Sequence, residues 1–413
     1  MKTPRGRLDF GHSPSGLRQR PLAQTIKIAQ PIARRLGVSR VVDVTRLDRI
    51  GIPVAVSVRP AAARSHLCVN AGKGLTLAEA VAGALLESIE FAFAEPGASV
   101  LQHEVATLGD VALSFPQPFD IRLLCPLWGA ELCLDKPVAV IQVEHPDTGA
   151  PVRIPAELVW MPTRDMPHTG LFGGSTSGLA SGNSVLEASV HGLAELIERD
   201  TTAMNCARPR SKLVNLRSVP EHLADLVRRI HSAGLELFVR HTPALGDLPY
   251  FEAYIVEPLL TAPIAIAAGF GLHLDKSVAL TRAITEAAQA RLSHIHGGRD
   301  DIVRRHEMFV EFSPEAESTA NARLRERIAG DDARIGFETI ADRNLSCGDL
   351  ATAWATLKEI IKCAGLSTPL VLRLTPEFLP LQVVRVIAPG LEQFDAESHR
   401  AGPRLLHAVA SSG

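Results

Sequence analysis

The sequence predicts an α+β fold of mixed and antiparallel strands organised around three glutamate-bearing helices. Two patterns predict the class: short β-rich runs bounded by glycine and proline turns, and helical stretches placed among them without strict βαβ alternation. The third observation is an internal repeat. GKGLTLAEAVAGALLESIEF and SGNSVLEASVHGLAELIERD each pass from a glycine-bearing turn into a helix. Glu79, Glu87 and Glu90 in the first, and Glu187, Glu195 and Glu198 in the second, stand at the same steps of eight and three, and Gly74 matches Gly182.

Taken in order, residues 1–40 hold nine Lys and Arg against a single acid, Asp9. This is a basic N-terminal lobe suited to an anionic neighbour, with Arg18, Arg20 and Lys27 as candidates. Within it QTIKIAQPIARRLGVSR is an amphipathic helix, its Ile26, Ile28, Ile32 and Leu36 at helical spacing. RVVDVTRLDRIGIPVAVSVRP gives two strands split by the Gly51-Ile52-Pro53 turn. SHLCVN is a third strand, broken by AGKG before the helix of residues 76–93. KPVAVIQVEHPDTGAPVRIPAELVW is a hairpin about Pro-Asp-Thr-Gly, and LFGGSTSGLASG is a loop feeding the second acidic helix. LELFVR, YFEAYIVE and APIAIAAGFGLHLD are strands, and KSVALTRAITEAAQARLSHI is a helix. That last unit is a third, degraded copy, with Glu286 and Gln289 where the other helices carry ExxE. Helices near 314–329 and 348–364 and the strands PLVLRL and LQVVRVIAPG follow. The expected partition is a basic lobe (1–40), one catalytic body (41–395) of two or three subdomains, and a loose tail (396–413).

Composition narrows the function classes. A net charge of −2 argues against nucleic acid as the partner. No apolar run reaches the roughly 20 residues of a membrane span, and no secretory signal opens the chain, so a cytoplasmic protein is expected. The cysteines at 68, 125, 133, 206, 347 and 363 are scattered, which predicts reduced, buried side chains and no zinc cage.

The glutamates call for a cation. On a helix of about 100° per residue, Glu79, Glu87 and Glu90 fall within about 80° of one another, opposite Val81, Leu85 and Ala92. Residues 75–95 contain no Lys or Arg, and the helix is apolar nearly all round. Buried carboxylates need compensation. With no ExxH pair and no cysteine beside them, a hard ion with oxygen ligands fits, Mg²⁺ shared with phosphate oxygens. The glycine turns free N–H groups near helix N-termini, and Lys73 supplies a point charge for phosphate. The bland alternatives are a solvated acidic face and plain capped turns. GxxxxGK[ST] is absent, and GGSTSG, with Thr176 at its centre, is no nucleophile elbow.

The ordered set TRLDRIGIPV, GKGLT, ESIE, SGLASGN, ELIERD, RAITEAAQARL and RVIAPGLE resembles the YcaO family over roughly residues 20–395. The resemblance implies a YcaO-like fold and ATP-dependent activation of a peptide-bond carbonyl, giving azolines, amidines or thioamides. It implies Mg²⁺ on Glu87, Glu90, Glu187, Glu195 and Glu198, and ATP contacts from Asn183 and Arg199. Glu286 and Gln289 would close the site. Arg199 and Lys73 would share transition-state charge, and Arg299 in GGRDD is a further phosphate candidate. Glu79 belongs to the repeat more than to the family motif. LDRIGIP looks most like the YcaO proteins paired with a TfuA-like partner, which are implicated in thioamide formation. Phe91 stands where the family often has Arg or Tyr. AGPRLLHAVASSG lacks the PxPxP ending of azoline-forming cyclodehydratases, and a separate leader-binding domain is not expected. A thioamide-forming homodimer acting on a peptide is the expectation. An azoline-forming cyclodehydratase, a non-catalytic accessory and a small-molecule kinase stand as alternatives. His191, one turn from Glu187, is open as a general base or as a structural histidine.

Overall fold

The computed structural model describes residues 12–13, 16–63, 67–161, 170–259, 261–299, 302, 314–330, 334–343, 348–394 and 399–411. Lys2, Arg5 and Arg7 of the basic lobe, with Asp9, lie outside them, as does Cys347. The class is α+β, with four main sheets whose strand pairs are antiparallel except one.

A minimal hairpin, β1 (His12–Ser13) and β2 (Gly16–Leu17), precedes α1 (Leu22–Arg35). The first sheet runs β3 (Arg40–Asp43), β4 (Val54–Val58), β5 (Val69–Lys73). β5 leads into α2 (Leu77–Phe93), on which α1 packs. Here the structure corrects the sequence reading: the strand is not broken by AGKG but runs through Gly72 to Lys73. Gly72 is where α2 lies on the strand, and a Cβ there would stand 2.1 Å from Ala80 O and Ala84 N. The glycine permits close packing and makes no turn.

β6 (Glu104–Thr107), α3 (Leu108–Leu113), β7 (Pro137–Glu144) and β8 (Pro151–Pro155) follow, the three strands forming the second sheet. β7 and β8 are the expected hairpin. Then come β9 (Leu179–Gly182), α4 (Val185–Ala207), β10 (Lys212–Asn215) and α5 (Glu221–Ser232). β11 (Glu236–Pro243), β12 (Pro249–Val256), β13 (Ile266–Leu272) and α6 (Lys276–His296) succeed them. The last elements are α7 (Pro314–Ala329), β14 (Ile335–Gly336), α8 (Leu350–Cys363), β15 (Leu370–Arg373), β16 (Gln382–Ile387) and α9 (Pro403–Ala410). The third sheet is β15-β16-β9 and the fourth β13-β12-β11-β10-β14. Sequence reading passed over α5, although its buried Leu223, Leu226, Val227 and Ile230 hold helical spacing.

Three strand-to-helix units recur: β5–α2, β9–α4 and β13–α6. In each the strand is at the edge of its sheet, and glycine lets the helix approach. A Cβ at Gly182 would stand 2.7 Å from Ala188 N, and one at Gly271 2.1 Å from Ala279 O.

Two further expectations are overturned. The tail expected to be loose carries α9, whose Leu405 and Ala408 are buried. Its first turn is satisfied by the fully buried Glu392, which accepts from the N–H groups of Gly402, Arg404 and Leu405 at 2.6–3.0 Å. The cysteines were expected to be buried, yet Cys133, Cys206 and Cys363 are exposed and only Cys125 is buried among the described ones. No helix among the described residues is long and apolar enough to cross a membrane.

Substituting Gly72→Ala forces α2 off β5 and is expected to cost roughly 3 kcal/mol by overpacking. Gly97→Ala, where nothing lies within 4 Å, is the control. Urea unfolding checks this, and equal midpoints for the two variants would contradict the packing role.

Candidate active site

α2 begins with a reciprocal cap. Thr76 Oγ1 accepts from Glu79 N, and Glu79 Oε2 accepts from Leu75 N at 2.7 Å. Glu79 is therefore a capping residue. A Cβ at Gly74 would stand 2.3 Å from Glu79 Cβ. Glu187 holds the equivalent place on α4, and its neighbours differ. It is buried and accepts from Asn183 Nδ2 at 3.1 Å and from Gln19 N at 2.9 Å, with Arg18 Nη1 at 3.6 Å. Asn183 Oδ1 in turn accepts from Thr25 Oγ1 at 3.0 Å. Glu187 and Asn183 thus fasten the basic N-terminal segment to α4. Of that segment's candidates Arg18 reaches Glu187, whereas Arg20 and Lys27 form no ion pair with a glutamate among the described residues.

The remaining glutamates come together, and all but Glu195 are bonded to an edge strand. Ala71 N of β5 donates to Glu87 at 2.7 Å, and Phe270 N of β13 to Glu286 at 3.4 Å. The second acidic position of each helix reaches the strand of the next unit. Ser181 Oγ of β9 donates to Glu90 of α2 at 2.6 Å, and Leu272 N of β13 donates to Glu198 of α4 at 2.8 Å. Gln289 of α6 closes the circuit by donating its Nε2 to Ala71 O at 2.7 Å. It faces a carbonyl, which a carboxylate cannot satisfy and an amide can. That is why the third copy departs from ExxE. Glu195 pairs instead with Arg199, at 3.5 Å.

These groups are half-buried, and desolvation dominates their titration. It raises Glu87 and Glu195, pushes Glu90 up to about 8, and pushes Glu198 up to about 7 with the Glu286 charge adding to it. Cations interleave. Lys73 pairs with Glu286 at 2.5 Å, and the charge of Arg299 acts on Glu87. Arg199 is 42% exposed and Lys73 28%, which puts the open mouth of the cleft on their side. His191 has no partner for its Nδ1 among the described residues. Burial and then the charges of Arg282, Arg18 and Lys73 hold it neutral.

Two cations lay in motifs already singled out and were passed over. Arg282 stands among Glu198, Glu286 and Glu195, and Arg385 beside Glu195 and Glu90; burial lowers both to about 10. Their signal was charge inside otherwise apolar elements, RAITEA and QVVRVI.

Carboxylates from α2, α4 and α6 thus share one cleft with Lys73, Arg199, Arg282 and Arg385. Five carboxylates oppose a bare anion, and the cations oppose a bare metal ion. A triphosphate carrying divalent ions presents both signs and fits. Among the described residues no three Asp, Glu, His or Cys are grouped closely enough to hold an ion by themselves. Mg²⁺ takes one or two carboxylates and completes its shell with phosphate and water.

Residues 71–392 match the family model described as YcaO cyclodehydratase, ATP- and Mg²⁺-binding. An uncharacterized protein of Methanothermobacter thermautotrophicus is 32% identical, over 94% of this chain and 98% of its own. An uncharacterized protein in the tfuA 3′ region of Rhizobium leguminosarum bv. trifolii is 32% identical, over 90% of this chain and 87% of its own. Among solved structures, YcaO from Methanopyrus kandleri bound with AMPPCP and Mg²⁺ superimposes with a TM-score of 0.72 at 23% identity, covering 94% of this chain and 96% of that one.

Raised carboxyl pKa values give stability that is complete below the unfolded value and lost as pH rises through the folded one. With Glu90 near 8 and Glu198 near 7, the metal-free protein is expected to lose thermal stability between about pH 6.5 and 9. His191 and His273, both lowered, oppose this only at more acid pH. Mg²⁺ with an ATP analogue should restore Tm more at the alkaline end. A metal-free Tm that stays flat across the window would contradict the assignment.

Proposed function

The chain belongs to the YcaO family, and we propose that it uses ATP and Mg²⁺ to activate a peptide backbone carbonyl, installing a thioamide with a TfuA-like partner. The observation that carries the reading is the circuit of carboxylates tied to three edge strands. One oxygen of Glu87, Glu90 and Glu198 is fixed by a strand donor, and the other is left for a ligand.

In this proposal Glu87, Glu90, Glu195 and Glu198 hold divalent ions between them, one or two carboxylates to each ion, and Lys73, Arg199 and Arg299 meet the phosphates. Glu286 and Gln289 close the far side. Asn183, oriented by Glu187, and Arg18 bound the nucleotide on the N-terminal side. Mg²⁺, when bound, neutralises charge on the transferring phosphoryl group. Hydrosulfide adds to the amide carbon, and the carbonyl oxygen becomes an oxyanion. That oxyanion attacks the γ-phosphorus and ADP leaves. The sulfur loses its proton, the C–O bond breaks, inorganic phosphate departs, and C=S remains. Lys73 and Arg199 bear the charge that builds on the phosphoryl oxygens. His191, which burial and the charges of Arg282, Arg18 and Lys73 hold neutral, resists taking a proton and stays an uncharged group beside the cleft.

Support for the thioamide comes from LDRIGIP and from the relative encoded beside tfuA. The second reading is azoline formation, favoured by the cyclodehydratase in the family description. There a Cys, Ser or Thr side chain of the peptide is the nucleophile and water is lost. Both readings require a peptide substrate, and a homodimer is compatible with either.

Mass spectrometry of the peptide product separates them. An exchange of one oxygen for one sulfur is expected, and loss of water would instead establish the azoline. Glu87→Gln and Glu198→Gln keep the oxygen that accepts from Ala71 N or Leu272 N, so the fold should persist while ATP turnover falls at least about a hundredfold. Turnover within severalfold of wild type would remove these residues from the metal site.

A further inference from the structure

LDRIGIP has no part in the chemistry above, yet it is built into the interior. It connects β3 to β4, and Asp48 is 5% exposed. Arg291 of α6, 6% exposed, sends Nε to Asp48 Oδ2 at 3.1 Å, Nη2 to Glu257 Oε1 at 2.7 Å, and Nη1 to Ile264 O at 3.2 Å. The other oxygen of Glu257 accepts from Arg49 Nη2 at 2.8 Å, and Arg49 Nε donates to Ala233 O at 2.7 Å. Two acids and two arginines alternate, each paired. The apolar half of the motif aims at the same helix. Ile50 and Ile52 lie in the core with Ala283, Ile284 and Ala287 of α6.

α6 otherwise belongs to the fourth sheet, against which it packs through β12 and β13. At the cleft it meets β5 of the first sheet through two polar contacts, Lys73 with Glu286 and Gln289 with Ala71 O, and further along the helix Leu292 packs with Ala71, Val54 and Val56. Lys73 and Glu286 are 28% and 33% exposed, and a phosphate that draws Lys73 away leaves Gln289 as the polar link beside the non-directional packing of Leu292. The alternation of charges, buried at Asp48 and Arg291 and open to solvent at Arg49, includes neither Lys73 nor Glu286 and survives that exchange. Truncating one member of such a set leaves an uncompensated buried charge, so it holds geometry firmly.

We infer that Asp48 is a positioning residue. Through Arg291 it fixes α6 against the first sheet and so sets where Glu286 and Gln289 meet β5. This rests on the nucleotide reading of the cleft, although its mechanical half does not.

The test uses the full chain with Asp48→Ala and Asp48→Asn, and Ile230→Val in the same core as a control for general loss of stability. Amide hydrogen exchange is followed over residues 69–73 and 282–292 without nucleotide, and binding of Mg²⁺ with AMPPCP is measured by calorimetry. For D48A, exchange in both segments should quicken about tenfold and affinity should fall about tenfold, with D48N between it and wild type. The control should change neither by more than about twofold. If D48A does not fold, D48N carries the test with the same sign. Exchange within about twofold of wild type in both segments overturns the inference. A wild-type protein that fails to bind AMPPCP overturns the nucleotide reading and leaves the exchange result to judge the brace.

Discussion

An edge strand turned inward has N–H and C=O groups that its own sheet does not satisfy, and a crowded carboxylate needs donors. In this protein each problem solves the other. β5, β9 and β13 end three different sheets, and the acidic helices that follow them supply partners for their free edges. Because Glu90 reaches β9, Glu198 reaches β13 and Gln289 returns to β5, the three units lock in a circuit. Sheets that share few direct hydrogen bonds are thereby held at a set spacing around a common hollow. Removing one link exposes an edge on one side and an unpartnered acid or amide on the other.

The same arrangement has an electrostatic consequence. Fixing one oxygen of a glutamate to a strand takes up its rotational freedom, so a ligand meets a preorganised acceptor. Burial raises the carboxyl pKa values even with arginines nearby, so without metal these carboxylates favour protons that a divalent cation must displace. Arg282 and Arg385 carry their own desolvation cost in return. Opposed charges crowded into a half-buried cleft are a costly arrangement for a protein alone, and one that suits a ligand bearing both signs.

Much of this was legible in the sequence. Steps of eight and three between the glutamates located the two helices and paired them, and the weaker third copy was found on Glu286 and Gln289. The class, the hairpin of β7 and β8, and α6 followed from periodicity and turn residues. What the spacing could not reveal was direction. Glu79 and Glu187 repeat perfectly in sequence, yet both lie in the first turn of their helices and are drawn to local N–H and amide donors. Gly72 looked like a turn because glycine permits turns, whereas here it permits contact between a strand and a helix. Arg282 and Arg385 escaped notice because a lone arginine in an apolar run gives no sign of which distant acids surround it. The docking of α9 depends on Glu392 and Asp200, residues whose partnership with Arg404 forms only in three dimensions.

The central claim is that carboxylates from α2 and α4 grip divalent ions only together with a triphosphate. Electron paramagnetic resonance of Mn²⁺ tests it directly, by following the free-ion signal as protein is added with and without AMPPCP. The account predicts loss of free signal when the analogue is present, little without it, and recovery of the signal in Glu90→Gln and Glu195→Gln. Equal Mn²⁺ binding with and without the nucleotide, or binding indifferent to both substitutions, would contradict it.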